Sequence, residues 1–168
     1  MERKSVKKMV TILAFSVMCL TLVSVPAVSA QPNRPLRVVM AWDLDYSISP
    51  IGWSGTVSGD INGEIIVTLV SARWTGKEQD RTEHFKETWV ITTVYGEIHG
   101  EEEGMATMGN GECNARGRIT DATEDWTHLV GCIFHWKGSA WMTSEGPPPQ
   151  WHCDLTMIIL PSTGSESD

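Results

Sequence analysis

From Ile51 the chain alternates without a break. Ile51, Trp53, Gly55, Val57, Gly59 and Ile61 are apolar or small, whereas Ser54, Thr56, Ser58 and Asp60 are polar. A period of two with one polar face is the pattern of a half-buried antiparallel strand. Asn62-Gly63 follows, the strongest short hairpin signal a sequence offers. Glu64 to Trp74, rich in Ile, Val and Leu, then returns as the partner strand and ends in a polar turn, Thr75 to Asp80. An earlier strand is expected over Leu36 to Tyr46, with Val38, Val39, Met40 and Trp42 as its apolar content, broken by Ser49-Pro50.

The next apolar segment starts near Thr82 and includes Phe85, Trp89, Val90, Ile91, Val94 and Tyr95. Continued to Met108 it would far exceed the usual strand of about 3–10 residues. The glycines inside it, Gly96, Gly100 and Gly104, are expected to bend or interrupt it. Residues four apart in a strand share a face. Glycine there marks a bulge, a bend or a close backbone approach. The same spacing occurs at Gly55, Gly59 and Gly63, and the two runs read as two bends of one coiled sheet.

Gly109-Asn110-Gly111 gives a second hairpin, into a strand from Glu112 to Thr120. Asp121-Ala-Thr-Glu124 has the form of a capping box and predicts a short helical turn carrying Trp126. A strand from Leu129 to Lys137, a long loop from Gly138 to Gln150 and a last strand from Trp151 to Leu160 complete the reading. Seven or eight strands joined mainly by hairpins predict an all-β fold. An antiparallel up-and-down β-barrel of about eight strands is the preferred form, with a β-sandwich as the alternative.

The segment Gly117-Arg-Ile-Thr-Asp-Ala-Thr-Glu-Asp-Trp-Thr-His-Leu-Val-Gly131, together with Gly96-x-x-x-Gly100 and Gly109-x-Gly111, resembles the allene oxide cyclase-like and dirigent-like barrels. The likeness spans Gly55 to Gly138 and rests on structural glycines and small polar residues. It implies an eight-stranded barrel with an apolar cavity, often in a dimer or trimer. Cyclase members close a fatty-acid epoxide, and dirigent members steer radical coupling without oxidising anything themselves. No functional residue of either kind falls on a matching position, and fold-level analogy does not assign an activity.

The amino-terminal residues change the picture of where the chain works. Arg3, Lys4, Lys7 and Lys8 precede an uncharged, mostly apolar run from Met9 to Val25, then Pro26 and the small residues Val28-Ser29-Ala30. This is the layout of a secretory signal peptide over 1–30, with an uncleaved membrane anchor as the alternative. The mature part would be a barrel domain over 31–160 with a polar tail at 161–168, secreted or extracytoplasmic. The leader holds one acid and four bases, so the net charge of −8 becomes about −11 in the mature chain. Such a chain repels phosphate backbones and anionic bilayers, which argues against nucleic acid and membrane partners.

Eight tryptophans are the most unusual feature of the composition. Each ring buries roughly 150–250 Å², and core anchoring accounts for Trp53, Trp89 and Trp136 in strands. Ligand pockets are also lined with aromatics, so Trp53, Trp89, Trp136, Trp141 and Trp151 are the candidate ligand-binding residues. Trp141 and Trp151 flank the proline loop and could alternatively form a sugar-stacking platform.

Outside the cell Cys132 and Cys153 could bridge the two last strands, leaving Cys113, expected opposite Met108, as the spare thiol. His84, His99, His128, His135 and His152 show no Cys-x2-Cys or His-x3-His pair, so no metal site is expected, and no cofactor is implied. Glu97, His99, Glu101 and Glu103 share one face and read as a solvated surface rather than acid–base machinery. Glu87, Glu97 and His99 are the candidates for an isomerase or cyclase. The preferred function is an exported barrel binding a small apolar molecule, with homo-oligomers left open. The cyclase and the carbohydrate-binding or adhesive surface module are the alternatives.

Overall fold

The computed structural model describes residues 34–77 and 80–161. The expected signal peptide and all but the first residue of the expected tail lie outside them. Eight strands form in chain order: β1 Leu36–Asp45, β2 Gly52–Gly59, β3 Gly63–Thr75, β4 Thr82–Thr93, β5 Gly96–Thr107, β6 Glu112–Ala122, β7 Ile133–Ser144 and β8 Gln150–Ile159. Each pairs antiparallel with the next, and β1 pairs with β8, closing an up-and-down barrel. Closure pairs every strand on both sides, so the sheet has no exposed edge.

Side-chain alternation decides what fills the interior. Leu36, Val38, Met40 and Trp42 of β1 are buried, and Arg37, Val39 and Asp43 on the alternate positions face solvent. The same parity brings in Ile65 and Val67 of β3, Phe85, Trp89 and Ile91 of β4, and Leu155, Met157 and Ile159 of β8. One end is sealed by Ile61, Ile98, Ile119 and Leu129, each at most 1% exposed. Leu129 comes from a 3₁₀ helix, Glu124–Leu129, that crosses this end. Trp126 fastens the helix by donating from Nε1 to Thr93 Oγ1 at 2.9 Å.

The long segment from Thr82 to Met108 is interrupted rather than bent: it forms two strands, β4 and β5, joined by a two-residue turn at Val94 and Tyr95. Those residues carry no turn signal, yet they are 88% and 58% exposed. Gly96, at φ 114°, supplies the left-handed backbone the turn needs. The capping box does not form: Asp121 and Ala122 belong to β6, the cap residue is Thr123, and its side chain makes no capping bond. The loop expected from Gly138 to Gln150 is shorter, because β7 runs on to Ser144.

Gly100 and Gly104 mark close approach, and the β5–β6 register also shifts between His99 and Gly100. In the β4–β5 register Trp89 faces Gly100 and Phe85 faces Gly104. A Cβ on Gly100 would lie 2.3 Å from the Trp89 ring, and one on Gly104 would lie 2.4 Å from the Phe85 ring. Each ring reaches into the space its glycine leaves, which lets large aromatics fit inside a narrow barrel.

A cup with an acid floor

The end opposite the 3₁₀ helix is open. Here the β1–β2, β3–β4, β5–β6 and β7–β8 connections surround a cavity of about 310 Å³. Trp42, Trp53, Trp74, Trp136 and Trp151 form much of its wall, with Phe85, Leu155 and Glu87 deeper in and Glu83 beside the mouth. Tyr46 donates its hydroxyl proton to the carbonyl of Pro149, tying two of the mouth loops together.

Glu87 and Glu102 are 6% and 3% exposed, the only buried charged residues among those described. Alternation places them there: Glu87 lies between Phe85 and Trp89 on the inner face of β4, and Glu102 between Gly100 and Gly104 on β5. Adjacent strands bring them directly opposite each other. Two indoles converge on Glu102 Oε2, Trp136 Nε1 donating at 2.8 Å and Trp89 Nε1 at 3.1 Å. Oε1 receives no N–H or hydroxyl donor, and the carboxyl of Glu87 is within hydrogen-bonding reach of the Glu102 carboxyl. Like charges this close disfavour double ionisation, which raises the carboxyls of the pair.

The electrostatics follow from that geometry. Burial raises the Glu102 carboxyl to about 7, although the hydrogen bonds from Trp136, Trp89 and Glu87 favour its charged form. Glu87 is pushed well above the ordinary carboxyl range by burial first, then by the charge of Glu102, with the Trp53 indole pulling the other way. Glu83 is raised by burial alone. Both carboxyls are thus held above the ordinary range, and the pair as a unit retains a proton at a pH where exposed glutamates have lost theirs.

The rings are packed against one another. Phe85 stacks on Trp136 at 6.0 Å and 12°, and Trp42 meets Trp136 edge-on at 6.0 Å and 88°. Trp136 thus joins the acid pair to the cavity wall. Its indole is held from three sides, which leaves little room for it to reorient.

Of the five tryptophans expected to bind a ligand, Trp53, Trp136 and Trp151 line the cavity. Trp89 is buried below it, as a donor to Glu102. Trp141 points outward, 43% exposed and packed on His152 at 4.9 Å. Trp42 and Trp74 are lining residues that sequence reasoning did not single out. Trp74 turns inward because of an irregularity in β3: the register with β4 shifts between Leu69 and Ser71, which exchanges the two faces beyond it. Of the three acid–base candidates only Glu87 is inside. Glu97 and His99 contact each other on the outer wall at 3.3 Å, where Glu101 also pairs with Arg118 at 2.7 Å and Glu103 with Lys86.

The expected bridge between Cys132 and Cys153 is absent, and all three described cysteines are free thiols. β7 and β8 do pair as expected, but Cys153 faces Ala140, eight residues along β7 from Cys132. At about 3.3 Å per residue that is roughly 26 Å, far beyond disulfide reach. Cys113 faces Ala106 rather than Met108 and, with Cys153, lines the cavity. Burial raises the Cys113 thiol to about 11 and the Cys153 thiol to about 12. No group of three or more metal-ligating side chains occurs among the described residues.

A larger depression of about 820 Å³ lies on the outside of the wall, bordered by Lys86, Glu101, Glu103 and Arg118. It faces solvent, and Lys86 and Arg118 there pair with Glu103 and Glu101, so the lumen is the stronger candidate for chemistry.

Fold and site together define the class as a closed eight-stranded meander barrel, plugged at one end and carrying an aromatic cup with a carboxyl pair at its floor. Compared with models of known families, with curated proteins and with solved structures, the chain matches none.

Proposed function

We propose that this protein is an exported carrier or receptor that takes a small, largely apolar molecule into the open end of its barrel. The observation that carries the reading is the one-mouthed cup: about 310 Å³ walled by five tryptophans above a sealed core. Barrels of about eight strands either fill their interior or hold one small ligand. Here the half beside the 3₁₀ helix is packed solid and the other half is not. The signal-peptide pattern at 1–30 supports export, and the resemblance drawn from Gly96 to Gly131 leads to the same kind of cavity.

Native mass spectrometry of the protein purified gently from its own host tests this reading. A discrete bound mass is expected on the wild type and absent from Ala140→Trp, which fills the cup from β7. A bare wild-type chain, or an equal bound mass on both proteins, rejects it.

An isomerase or cyclase is the second reading, and the Glu87–Glu102 pair favours it. A carboxylic acid kept protonated near neutral pH, beside a carboxylate and under an apolar cavity, is suited to general acid–base work. Glu87→Gln would then abolish turnover of a bound substrate while leaving its binding intact. The surface-module reading has weaker support, because Trp141 and Trp151 lie on opposite faces of the wall and cannot share one platform.

A further inference from the structure

We infer that the cup is built for a small organic cation, an amine or quaternary ammonium group carried on an apolar body, held between the tryptophan wall and the Glu87–Glu102 floor. This rests on the ligand-binding reading above and specifies the chemistry of the ligand.

Charge complementarity carries the argument. Two of the residues bordering the cavity, Glu83 and Glu87, are carboxylic acids, and no described Lys, Arg or His borders it. Glu102 adds a third carboxyl directly behind Glu87. Above about pH 7 the pair carries a negative charge, and no lysine, arginine or histidine borders the cavity among the described residues. A buried charge without a counter-charge is costly, and a cationic occupant supplies the missing partner. An anionic ligand would meet like charge, and a purely apolar one would leave the floor uncompensated.

The wall adds a second, independent preference. Indole faces attract cations within about 6 Å of the ring centre, tryptophan most strongly. Trp42, Trp53, Trp74, Trp136 and Trp151 all border one space, with one face of Trp136 stacked on Phe85 and one face of Trp74 taken by Arg81. The protein already uses this contact at the rim, where the Arg81 guanidinium carbon lies 4.9 Å from the centre of the Trp74 ring.

An isosteric probe pair isolates the charge: phenyltrimethylammonium and tert-butylbenzene have nearly the same shape and differ by one positive charge. Binding is followed at pH 8 by quenching of tryptophan fluorescence, and by calorimetry for the cation. The expected result is at least a tenfold preference for the cation, abolished in Glu87→Gln/Glu102→Gln, with tert-butylbenzene bound alike by both proteins. The double variant keeps an acceptor for both indoles, and its melting curve reports folding. Glu83→Gln, nearer solvent, should reduce the preference only in part.

Lowering the pH to 5.5 tests the same idea without mutation. The titratable groups facing Glu87 are Glu83, Glu102, Cys113 and Cys153. Both thiols stay neutral across this range, so a shrinking preference reports the carboxyls. Equal or tighter binding of tert-butylbenzene at pH 8 overturns the inference and leaves the apolar-ligand reading standing. A cation preference that survives both the double variant and pH 5.5 also overturns it. Binding of neither probe overturns it as well, while the ligand reading is decided separately by the native mass spectrum.

Discussion

Trp136 on β7 donates from Nε1 to Glu102 Oε2 on β5 at 2.8 Å, across the interior of the barrel with β6 between them. This bond joins the cavity wall to the acid floor. Trp89, from β4, reaches the same oxygen at 3.1 Å. One carboxylate therefore fixes two rings from two other strands.

Glu102→Leu removes the acceptor and leaves two buried indole N–H groups unsatisfied. Each is worth about 1–3 kcal/mol, so a clear loss of stability is expected. Glu102→Gln keeps an acceptor oxygen and should cost much less. Urea denaturation of the two variants, compared at pH 6, checks the difference.

The acid pair also sets a pH dependence. An ordinary glutamate releases its proton near 4.5, whereas folded Glu102 keeps its proton to about 7. Between those values the folded state binds more protons than the unfolded state, so stability falls as pH rises. The contribution is complete below about pH 4.5 and lost through about pH 7, of order 3 kcal/mol for Glu102. Glu87, also raised by burial and by the charge of Glu102, adds to the decline in the same direction. The melting temperature should be higher at pH 5 than at pH 8, and Glu87→Gln/Glu102→Gln should flatten the slope.

Gly100→Ala and Gly104→Ala drive a methyl group into the Trp89 and Phe85 rings, at 2.3 and 2.4 Å in the unrelaxed structure. Overpacking of this kind costs about 1–3 kcal/mol. Gly100→Ala should also displace Trp89 from Glu102, visible as a shift of tryptophan emission. Unchanged emission together with unchanged stability would contradict the close-approach role of these glycines.

Cys113 and Cys153, raised to about 11 and about 12, should react very slowly with thiol reagents at pH 8 in the native protein. All three described thiols should react rapidly in denaturant. The intact mass should show no two-dalton deficit, in line with three free cysteines. An apolar ligand in the cup should slow labelling of Cys113 and Cys153 further.

Trp53→Ala and Trp151→Ala should each weaken ligand binding about tenfold or more, since both side chains wall the cavity. Trp141→Ala, on the outer face, should leave binding within twofold. Equal losses in all three would place the ligand outside the barrel.

Much of the barrel was legible because period two is a local property. The alternation from Ile51 to Ile61, the Asn62-Gly63 hairpin and the Gly109 to Gly111 turn needed no knowledge of neighbours. The turn at Val94 and Tyr95 was not legible, since β-branched and aromatic residues favour strands and only the pairing of Thr93 with Gly96 sets the reversal. The site was half legible. Glu87 between Phe85 and Trp89, and Glu102 between Gly100 and Gly104, break the inward pattern with a charge, a signal available from alternation alone. Trp74 gave no such signal, because the register shift at Leu69–Ser71 that turns it inward exists only in the β3–β4 ladder.

The sequence alone determined which side chains share a face, because a strand's geometry repeats every two residues whatever surrounds it. Only the tertiary structure decided which faces meet. Closure of β1 on β8, and the register between strands, put Glu102 beside Glu87, placed two indoles on one oxygen and kept Cys132 far from Cys153. Register depends on pairing energy summed along whole strands, and no single stretch of the chain contains that sum.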